Sequence, residues 1–573
     1  MDRSVSWWDC GEFIATGYGL QVGHPPGAPL YQLVSHLFML LSFGNPMLVA
    51  PLSNLVSVLC ASLTVMLLFL SARLLLERAA FSPRRSLLGA AVGALCYLFC
   101  DTAWFSAVES EVYAMAMLFC SLTVWLTLRW EQRGDGRHLL LVALLLGLGV
   151  CVHLMTLLVT PMLLWIVLRN LKPLRSLKPA RIIFFISAFL FFLFLGLTPY
   201  AVIPIRAAAN PPINEGHPST YEDFKKYFQR EQYAHAPLYP RQWRDRDAAN
   251  WPAWGGGDPH SLWDNTKYWF TYQLGYMYFR YLMYNYIGRE NGHWGFVVVF
   301  VLPFLLGLWG LVSHRRRRRG DFRALLLLFL FGGVILNLYL NHPCYEPRER
   351  DYAYILSFYA FALWIAFGAA AAASPLPLSE GEGKLTQADA GQSPLPRKGA
   401  GVRLLLLALA PLLMAVGNWA DHDRSRCHSV HDIAMAHLQS CDHGALLFTY
   451  GDNDTFPLWY LQQVENKRTD IDMYNINLVG FRQVLRLMDD NGFRRPVYFS
   501  HYAYDKIKNF YPNRLRCEGF CWRLLPTPVG VDDREPLQRH VQDSVQWHIT
   551  PNEYQDHVSR SLMRIWQTNT QGL

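Results

Sequence analysis

Long apolar segments separated by short polar loops dominate the chain from residue 46 to residue 417. A helix needs about 20 apolar residues to cross the hydrocarbon core of a bilayer. The apolar run over 139–168 is too long for one such helix, and we divide it at His153. The pattern therefore predicts ten spans, which are Pro46–Ala72, Leu87–Ala107, Val112–Leu128, Leu139–Val152, Leu154–Leu168, Ile182–Pro204, Trp294–Val312, Ala324–Asn341, Tyr352–Ala373 and Val402–Gly417.

The loops between these spans differ in charge. Five arginine- and lysine-rich loops fall on one side under the ten-span count: 73–85, 129–137, 169–181, 315–319 and 397–403. The positive-inside rule makes that side cytoplasmic. The outer face then holds the N-terminal segment to about Asn45, the turn Asp101–Glu111, the stretch Ile205–Gly292, the turn His342–Asp351 and the tail from Trp419.

The N-terminal segment is unusual in this topology, because no signal peptide or span precedes it. Its apolar stretch Leu30–Phe43 is too short to cross a bilayer and is typical of an interfacial or re-entrant segment. We therefore expect that a first helix belongs ahead of Met1, that this version of the chain lacks it, and that its absence puts activity in doubt.

These features predict a polytopic α-helical membrane protein with about 10–11 transmembrane helices and a C-terminal α/β region. Residues 1–45 form the first outer loop, 46–417 the transmembrane domain and 418–573 the outer α/β region. Within the transmembrane domain, 205–292 is a long outer loop and 374–401 a low-complexity cytoplasmic linker. The net charge of +8 comes largely from the basic loops, so it indicates orientation rather than nucleic-acid binding.

The tail combines strand-like and helix-like segments. Ala445–Tyr450 and Asp472–Asn477 are typical of strands, and a loop entering a helix lies between them. Asp452 and Asp454 lack the remainder of a calcium-binding loop, so we interpret them as turn and N-cap residues. Cys517 and Cys521 are the nearest pair for a disulfide in the tail, and the spacing of the cysteines is not that of a zinc site.

Two acidic groups lie on the outer face. Asp9 and Glu12 precede the stiff turn of His24-Pro25-Pro26-Gly27, and Glu109 and Glu111 stand at the outer end of a span beside Tyr113. Carboxylates near a membrane are costly to desolvate unless they are paired, bound to metal or catalytic. Helix capping, by Asp9 or by Ser110 with Glu111, is an equally simple interpretation. Glu109 and Glu111 could also bind a hard divalent cation together with Asp9.

The short outer turn before the predicted span Tyr352–Ala373 carries Arg348, Arg350 and Asp351. Arginines at the interface suit bidentate binding of a phosphate head group. The alternative is that Arg348 and Asp351 pair with each other and anchor the end of the helix.

Four strings together carry a resemblance to a known family. They are WDCGEFIATGYGLQVGHPPGAPLY, ESEVYAM, RERDYAY and GDNDTFPLWYLQQVENKRTDID. The chain resembles, from Trp8 to about Pro526, bacterial membrane proteins related to the animal transmembrane protein O-mannosyltransferases. That family is assigned to the GT-C glycosyltransferases, which take a sugar from a polyprenyl-phosphate carrier on the outer face.

The resemblance implies roles for the outer residues. Asp9 would be the general base with Glu12 in support, and Arg348 and Arg350 would bind the lipid phosphate. Glu109 and Glu111 would hold a metal, as in some GT-C enzymes, so a divalent cation is a candidate cofactor. We also take His24, Tyr113 and Asp351 as candidate substrate-binding residues.

The expected activity is transfer of a sugar, mannose being one candidate, from a polyprenyl-phosphate donor to Ser/Thr hydroxyls of proteins, with inversion. The expected location is a bacterial inner membrane with the C-terminal region in the periplasm, and the partners are the lipid-linked donor, a protein acceptor and membrane lipids. A transporter or flippase of lipid-linked sugars is the alternative, although such proteins place ionisable residues at mid-membrane. Here the acids gather at one face.

Overall fold

The computed structural model describes residues 1–170, 179–233, 237–241, 251–288, 297–344, 348–373 and 400–528. The predicted linker over 374–401 lies almost entirely outside the described residues. Within them, a bundle of apolar helices is joined to a small α/β unit.

Every apolar segment predicted from the sequence contains a helix. In the described part of the chain, five helical segments are long and apolar enough to cross a membrane: Pro46–Arg78, Val112–Arg133, Pro179–Gly196, Arg319–Leu340 and Asp351–Ala372. Two shorter apolar helical segments, Arg137–Val150 and Leu154–Arg169, are separated at His153 as predicted. Helices Val297–Arg317 and Ala400–His422 account for the remaining predicted segments apart from 87–107. The chain is a multi-pass membrane protein.

The predicted span Leu87–Ala107 is wrong as a single helix. It consists of helices Pro83–Leu98 and Asp101–Val108, which meet at an angle of 62°. Cys100 takes an extended conformation at the break, and His422 Nε2 lies 3.0 Å from the Asp101 carbonyl oxygen. The predicted turn Asp101–Glu111 is therefore helical as far as Val108.

The helix Ile355–Ala372 lies at the centre of the bundle and is buried over most of its length. Gly89 and Gly93 pack against it so closely that a Cβ would lie 2.5 Å from the Ala366 carbonyl oxygen at the first and 2.6 Å from the Ala362 carbonyl oxygen at the second. Small residues at this spacing let two helix backbones approach within a membrane. The centre of the bundle is thus rigid.

The first outer segment forms two short helices, Cys10–Gly19 and Pro29–Met39. The first is almost completely buried. The end of the second and the residues after it expose large apolar side chains, with Leu37 63% and Phe43 90% exposed. This exposed apolar patch agrees with the interfacial placement expected for Leu30–Phe43.

The long outer stretch is also largely helical where it is described. Its helices are Val202–Ala208, Tyr221–Gln229, Trp251–Trp254, Leu262–Tyr268, the π-helical segment Trp269–Phe279 and Arg280–Tyr286.

The C-terminal region is an α/β unit with a five-stranded sheet, which confirms the predicted class. Its strands are β1 (Leu446–Thr449), β2 (Asp472–Asn475), β3 (Val497–Ser500), β4 (Leu515–Glu518) and β5 (Cys521–Leu524). The order is β2-β1-β3-β5-β4, with β1 parallel to β2 and β3 and with β5 antiparallel to β3 and β4. The helices of the unit are Ser429–Gln439, Asp452–Gln463, Ile476–Val479, Phe481–Asn491 and His501–Ile507.

The fold does not bring Cys517 and Cys521 together as predicted. The β4–β5 register places Cys521 opposite Glu518 and Cys517 opposite Trp522. The Cys521 thiol lies instead 4.0 Å from that of Cys441, which follows the helix Ser429–Gln439. The prediction relied on their closeness in sequence, but the β4–β5 hairpin places Cys517 and Cys521 on opposite faces of the sheet.

The α/β unit docks directly on the first outer segment. A Cβ on Gly11 would lie 2.4 Å from the carbonyl oxygen of Phe456, which belongs to the helix Asp452–Gln463. The backbone N–H of Trp8 donates to Asn453 Oδ1 at 2.6 Å, and Gln21 donates to Gln463 at 3.1 Å. This contact brings the carboxyl ends of β1 and β2 to the face where Asp9 lies.

Candidate active site

A cavity of about 1430 Å³ lies between the helix bundle and the α/β unit. The bundle contributes mostly apolar side chains from 154–158 and 331–340. The outer segments and the α/β unit contribute most of the polar side chains: Asp9, His24, Asn214, Glu215, Arg230, Gln232, Arg348, Arg350, Asp452, Asn475 and Asn477. A cavity that combines an apolar side with a cluster of polar groups suits an amphipathic substrate.

Asp9 is positioned by a strained turn. Trp8, just before it, has φ of 62°, which is unusual for a bulky residue. Asp9 occupies the N-cap position of the helix Cys10–Gly19, yet its side chain makes no capping hydrogen bond. Its carboxylate lines the cavity instead, 4.0 Å from the guanidinium of Arg348. The capping interpretation of Asp9 is therefore wrong.

Glu12 is buried and anchors the His24 turn. Its Oε1 accepts the backbone N–H of His24 at 2.6 Å, and its Oε2 lies 2.5 Å from His24 Nδ1. Burial alone would lower the pKa of His24, but the charge of Glu12 and its hydrogen bond hold that pKa well above the usual 6.5. A Cβ on Gly23 would lie 2.7 Å from Glu12 Oε1, so the turn requires glycine there.

Glu215 is an acid of this site that the sequence interpretation missed. It comes from the long outer stretch, and its backbone N–H donates to the Val22 carbonyl at 3.1 Å. Burial and the carboxylate of Glu12 raise the pKa of Glu215 well above its usual value. No local pattern in the sequence indicates this contact, because it depends on the pairing of two distant loops.

Glu109 and Glu111 are both buried, and each faces an arginine. Arg348 donates to Glu111 Oε1 at 3.3 Å, and Arg424 Nη1 lies 4.0 Å from Glu109 Oε2. Burial raises the pKa of Glu109 to about 7, and burial together with the Asp9 carboxylate raises that of Glu111 to about 8. Glu111 precedes the helix Val112–Arg133 but makes no capping bond, so the capping interpretation is wrong here as well.

Arg348 is the central cation of the site. Its guanidinium lies 5.0 Å from the centre of the Trp8 ring and 4.5 Å from that of Tyr352, while it pairs with Asp9 and Glu111. Tyr113 lies at the cavity wall, with its ring 4.5 Å from that of Tyr352. Stacking between rings fixes a planar guanidinium in a way that a lysine could not reproduce.

Arg350 and Asp351 have different surroundings. Arg350 lines the cavity and donates to the hydroxyl of Tyr352 at 2.5 Å. Asp351 accepts a hydrogen bond from Thr102 Oγ1, also at 2.5 Å, which ties it to the bent helix Asp101–Val108. The pairing of Arg348 with Asp351 was one interpretation of the sequence, and Arg348 pairs with Asp9 and Glu111 instead.

Asp452 and Asp454 separate into two roles. Asp454 is buried and accepts hydrogen bonds from the backbone of Tyr450 and from Ser500, which is the turn role predicted for it. Asp452 lines the cavity. Desolvation by the surrounding protein, with the carboxylates of Asp9 and Glu12, raises the pKa of Asp452 to about 6, although its side chain is exposed to the cavity. Asp452 thus belongs to the site, which its local sequence did not indicate.

The group of side chains that best suits a metal ion differs from the pair Glu109 and Glu111 predicted from the sequence. Among the described residues, Asp9, Glu12 and His24 offer ligand atoms that all lie within 4.8 Å of one another. The assignment of a metal to Glu109 and Glu111 stays a prediction.

Solved structures identify the class of this fold. The chain is similar to ArnT from Cupriavidus metallidurans in the apo state, with 12% identity, a TM-score of 0.50, and coverage of 91% of this chain and 94% of that one. It is also similar to the same protein bound to undecaprenyl phosphate, with 11% identity, a TM-score of 0.51 and the same coverage. The chain therefore has a GT-C-like fold with a C-terminal α/β region, as predicted.

Sequence relatives narrow the class. Residues 9–176 match the model of the protein O-mannosyl-transferase TMEM260 N-terminal domain, and residues 430–482 match TMEM260-associated domain 2. Protein O-mannosyl-transferase TMEM260 of Mus musculus is 28% identical over 240 residues, and that of Dictyostelium discoideum 24% over 253. Each match covers 41% of this chain, but only 32% and 29% of those relatives. The chain is thus related to the animal transmembrane protein O-mannosyltransferases.

Proposed function

We propose that the chain is a membrane glycosyltransferase that moves a sugar from a polyprenyl-phosphate donor to a Ser/Thr hydroxyl of a protein. The observation that carries this proposal is the cavity, in which the polar groups Asp9 and Arg348 lie beside the apolar wall of the bundle. The relationship to protein O-mannosyltransferases supports a protein acceptor, and mannose is the first sugar to test. By the charge of its loops, the cavity faces away from the cytoplasm, which is the periplasm if the protein lies in a bacterial inner membrane as the resemblance implies.

Asp9 acts as the general base. Its carboxylate takes the proton of the acceptor hydroxyl while that oxygen attacks the anomeric carbon of the donor sugar. The bond between that carbon and the phosphate oxygen breaks, and the phosphate leaves with the electron pair. A single displacement of this kind inverts the anomeric centre, and general base catalysis contributes about 10²- to 10⁴-fold.

Arg348 and Arg350 stabilise the departing phosphate. Both line the cavity. Stacking against the rings of Trp8 and Tyr352 holds the Arg348 guanidinium in place beside the cavity. Stabilisation of developing negative charge by fixed donors is typically the largest single contribution to catalysis.

A divalent cation, if the reaction uses one, would bind at Asp9, Glu12 and His24. Two carboxylates and an imidazole suit several divalent metals, and their ligand atoms are close enough to share one ion. Such an ion would add positive charge beside the donor phosphate. Addition of a chelator to the transfer assay, followed by re-addition of Mg²⁺ or Mn²⁺, tests this part of the proposal.

The test of the proposed function is transfer of labelled mannose from polyprenyl-phosphate-mannose to Ser/Thr peptides by the purified protein in lipid nanodiscs. We expect Asp9→Asn to lower kcat by at least about 100-fold, because an amide cannot accept the proton. Asp505→Asn is the matched control, since Asp505 is an exposed acid of the α/β unit. Equal rates for Asp9→Asn and the wild type would refute the assignment.

A vesicle assay separates this function from the alternative. Movement of a labelled lipid-linked sugar between leaflets, without transfer to any acceptor, would favour the flippase.

A further inference from the structure

The two walls of the cavity differ in what they can bind. The bundle wall exposes apolar side chains, among them Leu157 at 41%, Ile335 at 38% and Tyr339 at 68%. An apolar polyprenyl chain fits that wall, and its phosphate would then lie near Arg348 and Arg350. The α/β wall lies opposite and adds the polar side chains Asp452, Asn475 and Asn477 to apolar ones such as Leu478, so it can form hydrogen bonds with a second substrate.

Asp452 is the acid of the α/β wall. It begins the helix that follows the carboxyl end of β1, and its side chain is exposed to the cavity. The groups that influence it electrostatically are Asp9, Glu12 and Glu215, which are acidic, and His24 and Arg348, which are basic. Asp452 therefore belongs to the same group of interacting charged residues as the proposed base Asp9, although it lies in the α/β unit.

The edge of the sheet also faces the cavity. Met473, Tyr474 and Asn475 all line it, although successive side chains of a strand point to opposite faces. This lining is expected where the edge of the strand, near its carboxyl end, is turned toward the cavity. Among the described residues, β2 is an edge strand that pairs only with β1.

The hydrogen-bonding groups of that edge can be assigned. Asp472 donates its backbone N–H at 3.0 Å to Ala445, immediately before β1. Because backbone groups alternate between the two sides of a strand, those of Met473 and Asn475 point away from β1. Backbone donors and acceptors in a row complement an extended polypeptide, whereas a lipid or a glycan offers no matching ladder.

We propose that the α/β region is the acceptor-binding half of the enzyme: an extended polypeptide segment pairs with the outer edge of β2, and Asp452 holds its hydroxyl-bearing residue beside Asp9. This inference rests on the proposed function for the identity of Asp9. It adds the class of acceptor and the residues that recognise it.

The experiment uses the full chain in nanodiscs and a fluorescent Ser/Thr peptide selected from an array for binding to the wild type. Three quantities are measured: the Kd of the peptide by anisotropy, the KM and kcat of mannose transfer, and hydrolysis of polyprenyl-phosphate-mannose without acceptor. We expect Asp452→Asn to raise Kd and KM about 10-fold, because a charge-assisted hydrogen bond is lost. Donor hydrolysis without acceptor should stay within about twofold, as should all values for Asp505→Asn. The kcat of transfer should fall in Asp452→Asn, because the hydroxyl is no longer held beside Asp9.

A chemical change in the acceptor tests strand pairing without altering the protein. A copy of the peptide with N-methyl groups at alternate backbone positions should bind wild-type protein at least about 10-fold more weakly in one of the two registers, because it cannot donate to the edge. Equal binding of both methylated copies would overturn the pairing.

The remaining outcomes separate this inference from the proposed function. Unchanged Kd and KM in Asp452→Asn, with transfer intact in the wild type, overturns the role of Asp452 and leaves the glycosyltransferase standing. Parallel loss of donor hydrolysis and transfer also overturns it, since that result indicates a merely structural residue. Peptide binding that depends on Asp452, in a protein that transfers no sugar, supports the binding site and refutes the proposed function.

Discussion

Gly11→Ala perturbs the contact that joins the two halves of the site. A Cβ at this position would lie 2.4 Å from the Phe456 carbonyl oxygen, 2.6 Å from its carbonyl carbon and 3.0 Å from the nitrogen of Pro457. All three are backbone atoms and cannot rotate away. Non-bonded heavy atoms pack best at about 3.5 Å, so the helix Asp452–Gln463 must move by about 1 Å.

The size of that movement sets the expected effects. Overpacking of this kind costs about 1–3 kcal/mol of stability. A misplacement of about 1 Å between reacting groups costs on the order of 100-fold in rate. We therefore expect Gly11→Ala to fold with a lowered melting temperature and to lose much more transfer activity than the stability change explains.

The assay compares transfer rate and melting temperature for Gly11→Ala and for Gly17→Ala, its control in the same helix. At Gly17 the nearest atom to a new Cβ is the flexible methyl group of Met39, at 2.9 Å, and it can move aside. We expect Gly17→Ala to stay within about threefold of the wild-type rate. Both variants share the gain in helix propensity, up to about 1 kcal/mol, so this gain does not account for a difference between them. Identical rates for the two variants would show that docking of the α/β unit does not position the site.

Two further predictions concern the charged groups around Asp9. Arg348→Met should raise the KM for polyprenyl-phosphate-mannose by roughly 10- to 100-fold, as expected for a lost charge-assisted hydrogen bond, with partial recovery in Arg348→Lys. Donor titrations at a fixed acceptor concentration measure this KM, and an unchanged KM would contradict the role of Arg348. Glu12 raises the pKa of His24 in the folded protein, so the stability from this pair is fully present below pH about 6.5 and is lost as pH rises through the raised value. Melting temperature should therefore fall toward alkaline pH in the wild type and much less in Glu12→Gln, and parallel curves would refute the pairing.

Local patterns were sufficient to predict the apolar helices of the bundle but only two of the five strands. Apolar runs located the helices, and two short β-rich segments located β1 and β2. The break at Cys100 escaped prediction, although Asp101 and Thr102 interrupt the apolar run there. It is accompanied by tertiary contacts of Asp101 with His422 and of Thr102 with Asn285 and Asp351, which the local sequence does not show.

From the sequence, site residues could be predicted in the outer segments of the bundle but not in the α/β unit. Asp9 and His24 come from the first outer segment and Arg348 from a separate turn of the same predicted face, and all three line one cavity. Asp452 and Glu215 could not be found in this way, because their surroundings exist only after distant segments dock. Asp452 also has the local sequence of a turn residue. Only its position in the folded protein, just after the carboxyl end of β1, shows that it lines the cavity.

The backbone at Trp8 explains why the two halves depend on each other. A bulky residue with φ of 62° costs about 1–3 kcal/mol and persists only where its surroundings impose it. Those surroundings come from both halves, because Asn453 of the α/β unit accepts the Trp8 N–H and Arg348 of the bundle stacks on the Trp8 ring. Without the α/β unit, this turn could relax and Asp9 could cap its own helix. The orientation of the proposed base toward the cavity is therefore a property of the docked protein rather than of the first outer segment alone.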